Sequence, residues 1–346
     1  MVMKNRFLEL DITKLIAIFL VVLGHSIQCI SSCGYDESEM FRFIYSFHMP
    51  LFAFISGYFH PERHDSLRDH LIKRTRQLLL PVFSWSIIYL LLIIIIENPP
   101  HLMGIVKPCF YYQFWFLKCI WVCDILTFVI LYYIRNFKKR LLALGVLSII
   151  LCMIPDVGGM FWINFLFPIY MVAVVIKKIL PPPIQLQRML QVFDVKLFTV
   201  TLISIGVFVT LYDKWDLDYL IYSCPIDFVE EGIINIDNIT IASLRFILGL
   251  CASFVIFCMS FMFIPKISLK YQEMLAKVGQ RTLGIYIIQT FVFFYIERYT
   301  ECRIIYDGIT LFFISVVILL ISYYMVILIE KSQFASLWLL GLKKNK

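Results

Sequence analysis

The chain has 346 residues, 61% of them hydrophobic and 16% charged, with a mean hydropathy of +0.84. Ordinary globular domains are roughly 45–50% apolar and about 25% charged, so a water-soluble fold, a disordered chain and a secreted disulfide scaffold are excluded. The net charge of +7 is a modest excess, and no nucleic-acid partner is expected. A membrane-spanning helix needs roughly 20 mostly apolar residues. Ten segments are candidates in chain order: residues 12–30, 43–60, 78–96, 114–134, 141–154, 161–180, 196–212, 241–265, 282–297 and 309–330. Their length and lack of strict alternation predict helices, hence an all-α polytopic transmembrane bundle of about ten helices. If the helices alternate, one side of the membrane collects most of the basic residues, among them Lys73, Arg74, Arg76, Lys138, Lys139, Arg140, Lys177, Lys178, Lys266, Lys270, Lys277 and Arg281. That asymmetry is the positive-inside signature and predicts cytoplasmic N- and C-termini. No linker interrupts the pattern, so residues 1–346 read as one integral-membrane domain.

The opposite face is acidic. The predicted outer loop 213–240 carries Asp213, Asp216, Asp218, Asp227, Glu230, Glu231 and Asp237 against Lys214. It reads either as simple avoidance of positive charge or as a lid over an acceptor site. Cys29, Cys33, Cys109, Cys224 and Cys302 fall at or near that face, where a disulfide is feasible. No cysteine pair has zinc-ligand spacing with histidine, and no metal site is expected.

Ionisable side chains inside a bilayer cost about 2.5–3.5 kcal/mol each on insertion scales, so each calls for a partner or a function. The first segment carries Asp11, Lys14 and His25. From Lys14 to His25 the helix turns about 20° past three full turns, so both side chains leave one face, roughly 16 Å apart along the axis. Asp11 lies beside Lys14 on the same side. His48 opens the second segment at a depth similar to His25, and two imidazoles on consecutive helices form a candidate acid/base centre. The structural alternatives are a buried histidine bonded to a carbonyl for His25 and a ring at the wet interface for His48. Lys73, Arg74 and Arg76 stand where a cytoplasmic phosphate would be met, guanidinium groups gripping phosphate bidentately. Taken alone, they are better explained as ordinary positive-inside decoration or lipid-headgroup binding. In the fourth segment Lys118 and Asp124 are flanked by Trp115 and Trp121. Snorkelling, an interior salt bridge or a substrate contact would each explain Lys118.

Taken together, these strings resemble the acyltransferase-3 family of integral-membrane acyltransferases. The family's first-helix signature is an acidic residue, a basic residue (usually arginine), ten intervening positions and a histidine, here Asp11, Lys14 and His25. His48 to Phe52 with Ser56-Gly57-Tyr58, the basic stretch Lys73 to Pro81, Trp115-Phe116-Leu117 and Thr282 to Tyr286 match further family strings in order. The chain departs from the pattern in having Lys14 for arginine and Gln289 where histidine is frequent. The resemblance implies transfer of an acyl group, commonly acetyl, from cytoplasmic acyl-CoA to a hydroxyl of a cell-surface glycan or its lipid-linked precursor. It implies acetyl-CoA as donor, no metal, and residence in a bacterial cytoplasmic membrane among lipids. On this reading Lys14, Lys73, Arg74 and Arg76 hold the coenzyme phosphates. His25 is the base or transient acyl carrier, His48 polarises the thioester or positions the acceptor, Asp11 orients Lys14, and Trp115 with Lys118 contacts substrate. A homodimer is not distinguished from a monomer. The rival reading is a multi-pass secondary transporter, which usually shows paired repeats and carboxylates in both halves. Here the unusual polar residues crowd into the first, second and fourth segments.

Overall fold

The computed structural model describes residues 7–32, 35–61, 66–97, 102–111, 113–153, 162–180, 183–191, 194–220, 229–230, 233–299 and 307–343. Among the described residues the first half of the chain forms α1 (Leu8–Ile30), α2 (Glu39–Tyr45), α3 (His48–Tyr58), α4 (Leu67–Arg74), α5 (Leu80–Glu97), α6 (Leu102–Tyr111), α7 (Trp115–Tyr133) and α8 (Phe137–Cys152). The second half forms α9 (Ile163–Ile179), α10 (Pro183–Gln191), α11 (Val195–Tyr212), α12 (Ile236–Phe263), α13 (Leu269–Gly279), α14 (Thr282–Tyr299), α15 (Gly308–Lys331) and α16 (Gln333–Leu340). A two-residue antiparallel pairing of Val229–Glu230 with Ile233–Ile234 is the one strand contact among them.

Each of the ten predicted segments falls on helix, and the fold is an all-α bundle. Six stretches are long and apolar enough to cross a membrane by length and composition: Leu8–Ile30, Leu67–Ile96, Trp115–Tyr133, Val195–Tyr212, Ile236–Lys266 and Gly308–Lys331. The remaining predicted segments are shorter or more polar. The second is broken at Phe47, which leaves helical geometry (φ −149°, ψ −9°), so His48 starts a fresh helix of 11 residues. Pro50 is tolerated there because it occupies the first turn, where its missing N–H has no intrahelical partner. The third segment begins earlier than predicted, because α4 runs into α5 through a π-helical turn, Thr75–Leu79. Pro81 supplies the cause: it cannot donate to the carbonyl four residues back, and its ring crowds that turn.

α1 is the hub of the bundle, packing on α3, α12, α13, α14 and α15, while α3 is wedged between α9 and α12. Two glycines permit the closest approaches. A Cβ on Gly279 would collide with the backbone of Asp11, and one on Gly57 with the carbonyl of Tyr170. Small residues at such crossings are how membrane helices gain dispersion contact when lipid supplies no hydrophobic driving force. Of the predicted outer cysteines, Cys29 is a free thiol, Cys109 is buried, and Cys33, Cys224 and Cys302 lie outside the described residues. So do Asp227 and Glu231 of the acidic loop.

Candidate active site

α1 is unbroken across the Lys14–His25 interval, so the shared face expected from helical arithmetic is realised. At one end Lys14 Nζ lies 3.1 Å from Asp11 Oδ1 and 3.9 Å above the Phe59 ring. Gln280 Nε2 donates to the other carboxylate oxygen at 3.1 Å. Asp11 is buried, and the tight seat of Gly279 beside it brings Gln280 within reach. Two further cations arrive from distant elements. Arg74, at the end of α4, donates from Nη1 to Gln77 Oε1 at 3.3 Å. Arg281, just before α14, is forked onto Glu330 with Nη2 at 2.7 Å and Nε at 3.0 Å.

These groups form the polar end of a cavity of about 410 Å³, lined there by Lys14, Arg74, Gln77, Gln280, Arg281 and Glu330. Its wall then turns apolar, through Phe52, Ile55, Phe116, Leu117 and Tyr286 to Val21 and Met49. Small-ligand sites commonly occupy about 300–1,000 Å³, mostly apolar with a few convergent polar groups, and this cavity has that character. A larger cleft of about 830 Å³ between α9, α11 and α12 is walled by Ile176, Leu180, Val200, Leu250 and Phe254, with no comparable convergence of charge.

The cavity points at the histidines and stops just short of them. Val21 precedes His25 by one turn on the same face of α1, about 6 Å along the axis, and Met49 is the neighbour of His48. His25 is half-buried, with its ring 5.8 Å from Phe293 of α14. His48 is buried, its Nδ1 2.9 Å from the Ile44 carbonyl and its ring 4.5 Å from Tyr45. A carbonyl accepts only, so that contact places the proton on Nδ1 and leaves Nε2 as an acceptor in the neutral ring. The described start of the acidic loop covers this end. Arg42 donates to the carbonyls of Trp215 (2.8 Å) and Tyr212 (3.0 Å), and Arg245 to those of Tyr219 and Leu220. Trp215, Leu220 and Arg245 thereby close a small pocket against His48.

Not every candidate from the sequence reaches the cavity. Lys73 is exposed and Arg76 half-buried, and neither lines it. Position 73 leaves α4 about 100° away from position 74, and position 76 falls in the π-helical turn after it, so the three basic side chains leave in different directions. Trp115 is buried against Trp162 in an edge-to-face contact with centroids 4.5 Å apart. Lys118 donates to the Phe110 carbonyl at 2.8 Å, an interior hydrogen bond rather than a salt bridge to Asp124. Both stand off the wall formed by Phe116, Leu117 and Ile120 of the same helix.

Several residues come to the site that the sequence did not single out. Gln77, Gln280, Arg281 and Glu330 share the polar end. Gln289 is fully buried on α14, and neither of its amide atoms has a partner among the described residues. It lies between Tyr286, which lines the cavity, and Phe293, which touches His25, on the same face of one helix. The available signal was the string Thr282 to Tyr286, four of whose five residues line the cavity.

The comparisons agree with this architecture. A family model described as an acyltransferase domain matches residues 7–329. Nodulation protein NolL of Mesorhizobium japonicum is 41% identical over 87 residues, which cover 24% of this chain and 23% of that protein. NolL of Sinorhizobium fredii is 40% identical over 89 residues, 24% of each chain. The chain thus spans about a quarter of the length of the curated relatives it matches. No solved structure gives a significant match.

Proposed function

The chain belongs to the acyltransferase-3 family, and from that premise we propose that it is a membrane-bound O-acyltransferase using acetyl-CoA. The acceptor is a hydroxyl of a cell-surface glycan or its lipid-linked precursor, and the site of action is a bacterial cytoplasmic membrane. The observation that carries this reading is the cavity, cationic at Lys14, Arg74 and Arg281 and apolar from there to the turn below His25. Coenzyme A has the same polarity, a polyanionic nucleotide followed by a long slender arm ending in the thioester. Lys14 and Arg74 hold the phosphates from the cytoplasmic side, and the arm follows the face of α1 for roughly 16 Å. Gln289 offers a buried amide to that arm at the last step before His25.

At the far end His25 takes the proton of the acceptor hydroxyl while its oxygen attacks the thioester carbonyl. The carbon–sulfur bond breaks, the coenzyme leaves as thiolate, and the proton returns to it from His25. His48, with Nδ1–H donated to Ile44, presents an Nε2 lone pair and so positions the acceptor by accepting from a second hydroxyl beside the reacting one, rather than polarising the thioester. Asp11 fixes Lys14, and the loop held by Arg42 and Arg245 covers the acceptor side. The deciding experiment incubates membranes carrying the protein with labelled acetyl-CoA and weighs the surface glycan of cells with and without it. Loss of the acetyl mass increment in the deficient strain is expected. Coupled uptake of a solute with no acyl transfer would point instead to a transporter.

A further inference from the structure

Beside the cavity, a fully buried carboxylate gathers three polar groups and one cation from four places in the chain. Asp124 Oδ1 accepts from Tyr170 of α9 at 3.1 Å and lies 3.3 Å from His60 Nδ1. Oδ2 lies 2.7 Å from His70 Nε2 and 2.9 Å from Arg74 Nε. The surroundings are rigid. The His70 ring stacks on Phe128 at 3.7 Å, and Lys177 bonds the His60 carbonyl at 2.7 Å. Of these groups only Arg74 also lines the cavity.

Tyr170, His60 and His70 hold the carboxylate in place from α9, from the segment after α3 and from α4, so its position does not depend on the guanidinium. The dependence runs the other way. Arg74 is one-quarter exposed, its Nε in ionic contact with Asp124 and its Nη1 on Gln77, while Nη2 has no protein acceptor among the described residues. A guanidinium is planar and rigid, so an ionic contact with the carboxylate at Nε and a bond to Gln77 at Nη1 together restrict where Nη2 points.

We propose that Asp124 is the positioning residue that aims Arg74 at a phosphate of the acyl donor, acting through Arg74 and touching neither donor nor acceptor. This rests on the acyl-CoA reading given above. Binding of coenzyme A and of pantetheine, which lacks the phosphates, to the purified full-length protein in nanodiscs tests it. Wild type is expected to bind coenzyme A more tightly than pantetheine. Asp124→Asn should reduce that preference by about tenfold, the scale of one charge-assisted hydrogen bond, and leave pantetheine binding unchanged. Arg74→Ala should do the same, and the double variant should lose no more than Arg74→Ala alone. Arg74→Lys, on a side chain one-quarter exposed, keeps the charge but not the fork and should resemble Asp124→Asn even if the latter folds poorly. An unchanged preference in Asp124→Asn or Arg74→Lys overturns the proposal, as does equal loss of both ligands or an additive double variant. A wild-type protein that shows no preference for coenzyme A removes the donor reading itself, and the role of Asp124 with it.

Discussion

At the Lys14 end of α1 the cations on the cavity each lean on a carboxylate: Lys14 on Asp11, Arg74 on Asp124 and Arg281 on Glu330. At the His25 end the rings beside the histidines are aromatic, Phe293 against His25 and Tyr45 against His48, and the nearby Arg245 donates to backbone carbonyls. The contrast teaches how one helix serves two tasks. Holding an anion demands charges fixed before the ligand arrives, so that no reorganisation is spent on binding. Moving a proton demands a ring able to take it and give it back, and a ring of fixed counter-charges would trap it.

Substitutions at the two ends should therefore fail differently. The largest effect is expected from His25→Ala, which removes the proton acceptor and should lower acyl transfer by about 10²–10⁴-fold. Coenzyme A binding should persist, measured on the same membranes. A variant that still transfers at the wild-type rate would end the assignment of His25. Next is Gly279→Leu, which drives a side chain into the backbone of Asp11 and should cost on the order of 1–3 kcal/mol of stability. Thermal unfolding in detergent reads the loss, and coenzyme A binding should fall with it because Asp11, Lys14 and Gln280 share that contact. Lys14→Ala comes third, since the side chain is 23% exposed and its contribution is screened accordingly. A weakening of coenzyme A binding of up to about tenfold is expected, steeper at low than at high salt. Gln289→Leu should have the smallest effect. It removes the buried amide whose two polar atoms have no partner among the described residues, so the empty protein should be no less stable while donor affinity drops a few-fold. Destabilisation of the empty protein would show instead that Gln289 serves packing.

Much of this site is legible in the sequence where a single helix carries it. The alignment of Lys14 with His25 needs only the period of α1, and the adjacency of Asp11 to Lys14 only a three-residue spacing. His48 is legible as a polar residue at the head of an apolar run, although the break at Phe47 that isolates α3 is not. Arg74, Lys73 and Arg76 show the limit. All three look equivalent as a basic stretch, yet one lines the cavity, because the π-helical turn forced near Pro81 and the reach of Asp124 select among them.

Composition and periodicity determine that this chain is a helical membrane bundle, since only helices and closed barrels satisfy their backbone in lipid and these apolar runs are too long and unalternating for barrel strands. They also place one charged-to-imidazole stripe on one helix, because helical geometry is local. Tertiary structure alone decided that Asp124 holds Arg74, that Gln280 and Arg281 close the polar end, and that Trp215 covers His48. Those contacts join residues far apart in the chain, and their partners are chosen by which helices pack side by side, which no spacing along the sequence encodes.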